Sequence, residues 1–335
     1  GTVAIGATHN DAALVGVSPG RVGHVQVHRW IDSSWVQLGT DIDGVDDGDI
    51  AGVSVSLSGN GSIVAIGATQ YFSASAEGRG QTRVFEYRVV LNDEWDDATM
   101  NIIKGNDSDL MVNKKYWVQL GSDIDGEELE DQGGSAVALS NDGSILAIGA
   151  AYNDGGGDRS GHVRVYEYRV VLNDEWDTKD IIKGNDTNLI VNKKYWVQLG
   201  SDIDGEVGTI ASKGGSLSIS FDGSIIAIGA GGSGASTGHI RVYEYRVVLD
   251  NEWDDATMNI IKGNDNVLMV NKKYWVQHGV DINGIGIYAQ FGVSSSLSDD
   301  GSIVAGGSTR YGYASVFKYR VVLDNEWDDA TMNII

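Results

Sequence analysis

The residues best suited to chemistry are aspartates that recur in pairs within one short motif, Asp-Ile-Asp-Gly. The pairs are Asp41 and Asp43, Asp123 and Asp125, and Asp202 and Asp204. Alternate side chains of an extended chain point to one side, so each pair presents two carboxylates together. Because Ca²⁺ is bound by carboxylate oxygens, these aspartates are candidate Ca²⁺ ligands, and no other cofactor is predicted. The alternative is a solvated strand end followed by a glycine turn.

Paired carboxylates are also used in glycoside hydrolysis, but this motif recurs from repeat to repeat, as scaffold residues do. The histidines behave in the same way. His24, His162 and His239 occupy one repeat position, and Gln81 stands there in another copy. A catalytic base would not be replaced like this. The sequence has no nucleophile-elbow serine and no glycine-rich phosphate loop between a strand and a helix, so we predict that the protein is not an enzyme.

Three Asn-x-Ser/Thr sequons are present, at Asn60, Asn106 and Asn185. All three fall in predicted turns or inserted segments, where an attached glycan would be exposed. They predict a glycoprotein if the chain passes through a eukaryotic secretory route.

Composition narrows the possible classes of protein. The 335-residue chain has 46 glycines, one proline, no cysteine and a formal net charge of -23. A phosphate backbone would be repelled by so negative a surface, so we predict no nucleic-acid partner. Without cysteine there are no disulfides and no thiolate metal sites. No apolar run approaches the roughly 20 residues of a membrane-spanning helix, so we predict no membrane insertion.

The elements that carry these residues belong to an internal repeat. The motif GSIVAIGA at Gly61 recurs as GSILAIGA, GSIIAIGA and GSIVAGGS, and a shortened form, GTVAIGA, begins at Gly1. A second motif, WVQ, begins at Trp35, Trp117, Trp196 and Trp275. Its copies are roughly 80 residues apart, a regular period typical of repeat architectures. A unique active site needs one copy of its residues, so this repetition predicts architecture.

Each period contains four segments with the features of strands. The first alternates valine or leucine with serine (Val53–Ser58), and the second is the almost continuous apolar run SILAIGA. An Asn-Gly or Asn-Asp-Gly turn joins them as a tight hairpin. The third and fourth segments are GHVRVYEY (Gly161–Tyr168) and YWVQLGSDI. The sequence therefore predicts an all-β fold, a β-propeller-type array of four-stranded antiparallel blades with about five repeats, partial at both ends.

We predict a single repeat array over residues 1–335. Its segments are a partial blade at 1–50, blades at 51–132, 133–211 and 212–290, and a partial blade at 291–335. Since the sequence begins within a repeat, we interpret it as a piece of a longer chain. Three arrangements of the ends are compatible with the pattern: the ends pair to close a ring, the array stays open, or the ends accept strands from a neighbouring molecule.

Long inserts separate the third and fourth strands in the later repeats. In the first of them, Arg88–Trp117, we predict an extension of the third strand (Val89–Leu91), a helical turn at 97–104 and a return strand at Leu110–Val112. The apolar Trp95, Met100, Ile102 and Ile103 favour packing of the insert onto its blade or onto a partner.

The repeat resembles the FG-GAP family, which forms the blades of integrin α-subunit propellers. The matching residues are those of Gly133–Tyr168 and their counterparts, and FGVSSSLSDDGS at Phe291 keeps the Phe-Gly of the family's name. The resemblance implies a propeller, an extracellular or cell-surface setting, and adhesive or structural roles. In that family a calcium loop joins the first two strands. A tight turn stands there in this chain, so the family's ligands do not transfer. The family also usually has seven blades.

These observations predict a secreted, non-enzymatic structural or adhesion protein, a subunit of an extracellular filament or matrix. Its predicted partners are other copies of itself, extracellular proteins or glycans. The alternative is a lectin-like propeller with sugar sites repeated between blades, in which Trp117 and Trp196 stack on the sugar.

Overall fold

Five antiparallel β-sheets follow one another along the chain and pack face to face as the blades of a β-propeller, which confirms the predicted fold class. The computed structural model describes residues 1–10, 21–70, 78–95, 97, 101–176, 178, 180–206, 216–231, 237–254 and 258–319.

The first sheet has four strands in the order β1-β2-β3, with β4 pairing β2. They are β1 (Thr2–Ala7), β2 (His24–Ile31), β3 (Ser34–Gln37) and β4 (Ile42–Asp43). The second sheet has six strands and a one-turn helix. They are β5 (Ser54–Leu57), β6 (Ile63–Ala68), β7 (Gln81–Val89), α1 (Asn92–Trp95), β8 (Ile102–Ile103), β9 (Lys115–Gln119) and β10 (Ile124–Asp125).

The third and fourth sheets repeat the second, and the fifth sheet has three described strands. The third comprises β11 (Gly133–Leu139), β12 (Ile145–Ala150), β13 (His162–Val170), β14 (Ile181–Ile182), β15 (Lys194–Gln198) and β16 (Ile203–Asp204). The fourth comprises β17 (Ser216–Ile219), β18 (Ile225–Ala230), β19 (His239–Val247), α2 (Asp250–Trp253), β20 (Ile260–Ile261), β21 (Lys273–Gln277) and β22 (Ile282–Asn283). The fifth comprises β23 (Phe291–Leu297), β24 (Ile303–Ser308) and β25 (Tyr313–Lys318).

The hairpin turn between the first two strands of a blade is closed by one aspartate. Asp142 Oδ1 accepts hydrogen bonds from Ser140 Oγ (2.7 Å) and from the backbone N–H of Ser144 (2.9 Å). Gly143 follows with φ 75°, a conformation that glycine adopts without steric cost. Asp222, Asp300 and Asn60 make the same contacts in the other copies. The turn is therefore fixed locally, as its sequence predicts.

These turns also join neighbouring blades. The backbone N–H of Gly59 donates to Asn141 O, that of Asn141 to Phe221 O, and that of Phe221 to Asp299 O, all at 2.8–2.9 Å. One row of hydrogen bonds thus links the second, third, fourth and fifth sheets at their hairpin ends.

Packing between consecutive sheets supplies the core. We call the face of a sheet that contacts the next sheet its front face, and the opposite face its rear face. At the first interface the front-face residues Val25, Val27 and Leu38 pack against the rear-face residues Phe85 and Trp117. The next three interfaces have the same form. Each sheet therefore shares its core with its neighbours, as expected for repeat units with little core of their own.

The serines of the first strand in the second and fourth sheets have a role that the alternation of serine with apolar residues did not predict. Ser54 Oγ donates to Gly134 O of the next sheet (2.7 Å), and Ser56 Oγ accepts from the backbone N–H of Leu139 (3.0 Å). Ser216 and Ser218 make the matching contacts to the fifth sheet. Small polar side chains therefore satisfy backbone groups between blades.

The two end faces of the array are exposed in the part of the chain that the structure describes. On the rear face of the first sheet, Ile5 is 51% exposed, whereas its counterpart Ile66 is 1% exposed. On the front face of the last sheet, Val316 is 70% exposed, whereas its counterpart Val84 is 1% exposed. Since closure would cover both faces, the described residues form an open array.

The insert folds differently from our prediction. Strand β7 ends at Val89, the helix is Asn92–Trp95, and the short strand is Ile102–Ile103, so Leu110–Val112 is not a strand. Within the predicted helical turn, residues 98–100 lie outside the described residues. The elements are set by their buried side chains, because Trp95 must reach Tyr116 (ring centroids 5.1 Å apart). The expected packing of the insert on its blade is confirmed for Trp95 and Ile102; Met100 is among the residues not described.

An ion pair holds each insert to the third strand and should make its stability depend on pH. Arg88 Nη1 and Nη2 donate to Glu94 at 2.8 and 2.6 Å, and this hydrogen bonding lowers the pKa of Glu94 from its ordinary value of 4.5. A depressed carboxylate pKa contributes stability above the unfolded-state value that is lost as pH falls below it.

We therefore expect Glu94→Gln to lower the free energy of unfolding at pH 7 by about 1 kcal/mol. The difference from the natural chain should shrink as pH falls below 4.5. Urea unfolding at a series of pH values measures this. A difference that stays constant into the acid range would contradict the pairing.

Candidate functional site

The first aspartate of each Asp-x-Asp-Gly or Asp-x-Asn-Gly motif is held by a glutamine from the preceding strand. Gln119 Nε2 donates to Asp123 Oδ1 at 2.6 Å. The same bond joins Gln37 to Asp41, Gln198 to Asp202, and Gln277 to Asp281, at 2.6–2.8 Å. A contact present in all four copies positions the motif against its own sheet.

The second aspartate lies at the end of a two-residue strand beside the start of the third strand. Asp43 pairs with His24, and Asp204 pairs with His162. Burial and the neighbouring Asp41 raise the pKa of Asp43. Burial and Asp202 raise the pKa of Asp204 in the same way. In these two copies the first aspartate of the motif therefore acts on the second, as expected for carboxylates on one side of the chain. Binding of Ca²⁺ by any of the pairs stays a prediction.

The repeat position shared by histidine and glutamine faces the first aspartate of the motif. His24 Nδ1 lies 3.9 Å from Asp41 Oδ2. In the second sheet Gln81 Nε2 donates to both Asp123 and Asp125 (3.1 and 3.3 Å). The residue type at this position thus changes the polar contacts that the aspartates of the motif make.

The third sheet's copy brings together three groups from two blades. His162, Asp202 and Glu127 each offer one ligand atom, and these atoms lie within 4.8 Å of one another. Glu127 belongs to the second sheet's motif loop, directly after Gly126. His162 Nδ1 is 3.8 Å from Glu127 Oε2. Sequence reasoning missed Glu127 because its partners lie across a blade interface; the one signal was a glutamate after the motif, at both Glu127 and Glu206.

Arginine fills the equivalent place at the third interface. Arg241 Nε and Nη2 donate to the two carboxylate oxygens of Asp281 at 2.8 Å each, and Nη2 also donates to Glu206. This cation joins an aspartate and a glutamate from neighbouring blades. At the second interface the corresponding Arg164 instead donates to the backbone carbonyl of Asp125 (2.8 Å).

The sequon residues lie on the surface. Asn106 and Asn185 are exposed in the inserts. Asn60 is exposed as well, but its Oδ1 accepts hydrogen bonds from Ser58 and Ser62 in the hairpin turn. Asn60 therefore has a structural role whether or not a glycan is attached, and glycosylation of the three residues stays a prediction.

Three of the four tryptophans that begin the WVQ motif fill blade interfaces. Trp117, Trp196 and Trp275 are each 0% exposed, and the indole N–H of each donates to a backbone carbonyl of the preceding sheet at 2.8 Å. At the fourth interface the corresponding region is a pocket lined by residues that include His278, Gly279 and Phe317. Buried rings cannot stack on a sugar from solvent.

Among the described residues, no helix is both long and apolar enough to cross a membrane. No family model matches the sequence, and comparison with curated proteins finds no match.

Several solved structures are similar to this chain. One is hydrazine synthase from Kuenenia stuttgartiensis, with a TM-score of 0.41 and 12% identity over 89% of this chain and 66% of that chain. Another is the periplasmic gluconolactonase PpgL from Pseudomonas aeruginosa, with a TM-score of 0.41 and 14% identity over 91% of this chain and 61% of that chain. A third is the Dos1 propeller, with a TM-score of 0.39 and 10% identity over 95% of this chain and 50% of that chain. This chain therefore spans 50% to 66% of the length of these structures. At such low scores, the propeller assignment rests on the sheet order of the chain itself.

Proposed function

We propose that this chain is a secreted, non-enzymatic structural repeat protein that associates head to tail with other copies of itself, as a subunit of an extracellular filament or matrix. The observation that carries the proposal is the exposure of two complementary end faces. Each is one half of an interface that the chain already forms four times internally.

The two end faces match a buried interface at the positions of two apolar side chains. At the first interface Ile66 of the rear face packs in one cluster with Val25 and Val27 of the front face. The end faces present Ile5 at the position of Ile66, and Val316 at the position of Val27. Packing one copy's last sheet on another copy's first sheet would bury both apolar side chains, which favours association.

Such a contact joins two different surfaces, so its repetition adds copies in one direction. A heterologous contact of this kind gives an open filament unless its rotation closes a ring. This polarity is the property that distinguishes the proposed filament from a dimer formed by two identical faces.

The extracellular setting is supported by the resemblance to the FG-GAP family and by the exposed sequons at Asn106 and Asn185. The non-enzymatic character is supported by the glutamine contacts of the motif aspartates. The same bond recurs in every copy from Asp41 to Asp281, which favours a scaffold role for these residues.

Sedimentation analysis of two charged variants tests the proposal. We expect the natural chain to form large species as its concentration rises, and Ile5→Arg and Val316→Arg each to remain monomeric. Each variant keeps one intact end face, so their mixture should form a one-to-one complex that grows no further. Val112→Arg is the matched control, because Val112 is 87% exposed at the tip of an insert and should leave assembly unchanged.

Other outcomes would overturn the proposal. A natural chain that stays monomeric at every concentration excludes self-association. Assembly that is lost in Ile5→Arg alone indicates a contact between two first sheets, and assembly lost in Val112→Arg indicates lateral contacts through the inserts.

The lectin alternative predicts saturable, sugar-specific binding on a glycan array. Trp117 and Trp196 cannot provide it in the folded protein, since both are buried. If the natural chain bound sugars at concentrations where the chain is monomeric, the result would favour the lectin over the filament.

A further inference from the structure

We propose that Glu127, His162 and Asp202 form a site for one divalent first-row transition metal ion of the Zn²⁺ type, which joins the second and third blades. This site is separate from the end faces that carry the proposed assembly.

The first observation is a buried histidine without hydrogen bonds. The side chain of His162 is 1% exposed, and neither of its ring nitrogens has a hydrogen-bond partner among the described residues. A buried polar group normally has a partner, and leaving one unsatisfied is unfavourable. Coordination of a metal by one nitrogen would satisfy this group.

The imidazole is also in the form that binds metals. Burial and the nearby Arg164 lower the pKa of His162 to about 4, so the ring is neutral at pH 7. A neutral imidazole has a nitrogen lone pair free for coordination.

The second observation is the position of the two carboxylates. One ligand atom from each of the three residues lies within 4.8 Å of the others. Tetrahedral coordination at about 2.0–2.2 Å would bring them to roughly 3.3 Å. Glu127 can supply this movement, because its side chain is 44% exposed, and Asp202 is already oriented by Gln198.

The third observation comes from the equivalent interface one blade further on. There the guanidinium of Arg241 binds both Asp281 and Glu206. At the second interface Arg164 has turned to the carbonyl of Asp125, and its Nη1 is 3.8 Å from Glu127 Oε1. An equivalent aspartate and glutamate thus lie close to an arginine at both interfaces. At the third interface Arg241 contacts both carboxylates directly, whereas at the second interface Arg164 approaches only Glu127, at 3.8 Å, and His162 lies beside it.

The ligand types select the metal class. One imidazole with two carboxylates suits Zn²⁺ and similar divalent ions, which accept mixed nitrogen and oxygen ligands. Ca²⁺ takes six to eight oxygen ligands, and an imidazole would contribute none. The site therefore differs in chemistry from the Ca²⁺ binding predicted for the aspartate pairs.

Calorimetric titration of the chelator-treated chain with Zn²⁺ alone tests the site. We expect one ion to bind with micromolar affinity at pH 7, and His162→Gln and Asp202→Asn each to weaken that binding at least tenfold. His162→Gln places at this position the residue that the second sheet has there, Gln81, so the fold should persist. Co²⁺ should show the absorption of tetrahedral coordination in the natural chain and lose it in His162→Gln.

The acidic surface requires a matched control. His239→Gln changes the equivalent residue beside Arg241 and should leave Zn²⁺ affinity unchanged. Absence of binding by the natural chain would overturn the proposal, and it would mean that Arg164 neutralises the carboxylates as Arg241 does. Equal affinity in the natural chain and in His162→Gln would also overturn it, because binding would then reside in surface carboxylates.

Discussion

Replacing Trp117 with alanine should lower the free energy of unfolding by about 3–5 kcal/mol, the cost of removing a large buried aromatic side chain. The ring of Trp117 is 0% exposed and packs 5.0 Å from the ring of Tyr87. Its indole N–H also donates to Leu38 O at 2.8 Å. The variant would lose the packing and leave a buried carbonyl without its donor. Urea unfolding followed by circular dichroism measures the change.

The chain contains its own control for this prediction. Trp35 occupies the same repeat position but is 53% exposed, and its main ring contact is Trp30, 5.4 Å away. Trp35→Ala should therefore cost only about 1 kcal/mol, measured at a concentration where the chain is monomeric. Equal losses for the two variants would mean that the interface position of Trp117 is not the source of its stability.

Replacing Gly67 with alanine should cost about 3 kcal/mol, an effect of overpacking. Gly67 is buried in β6, and an added Cβ would lie 2.0 Å from the carbonyl oxygen of Gly134 in the next sheet. That atom belongs to the backbone, so relief requires the two blades to move apart. Separation of the blades would also weaken the contacts of Ser54 and Ser56 across the same interface.

Gly307 is the matched control for Gly67, because it has the same repeat position in the fifth sheet. A Cβ at Gly307 would meet only the side chain of Ser294, whose hydroxyl lies 2.5 Å away and can rotate. We expect Gly307→Ala to change the free energy of unfolding by less than about 1 kcal/mol. If Gly67→Ala were equally mild, close approach of the blades would not be the reason for glycine at this position.

Much of the fold could be predicted from the sequence because the determining interactions are local. The turn at Asp142 is closed by Ser140 and Ser144, all within five residues of one another. The apolar run Ile145–Ala150 predicted a buried strand, and the structure has a fully buried strand there. The insert was predicted less well, because its helix and short strand are set by which side chains reach Tyr116 rather than by local preference.

By itself the sequence determined the repeating strands, their hairpin turns and the grouping of carboxylates within each motif, since each depends on residues adjacent in the chain. Only the tertiary structure decided which copy of a repeated residue is buried and which is exposed, as for Trp117 and Trp35. It also decided that Glu127 meets His162 across an interface while Arg241 closes the next interface. The physical reason is that contacts between blades depend on how two sheets are placed against each other. Nearly the same residues occur in every blade, so the sequence alone does not specify which copies come into contact.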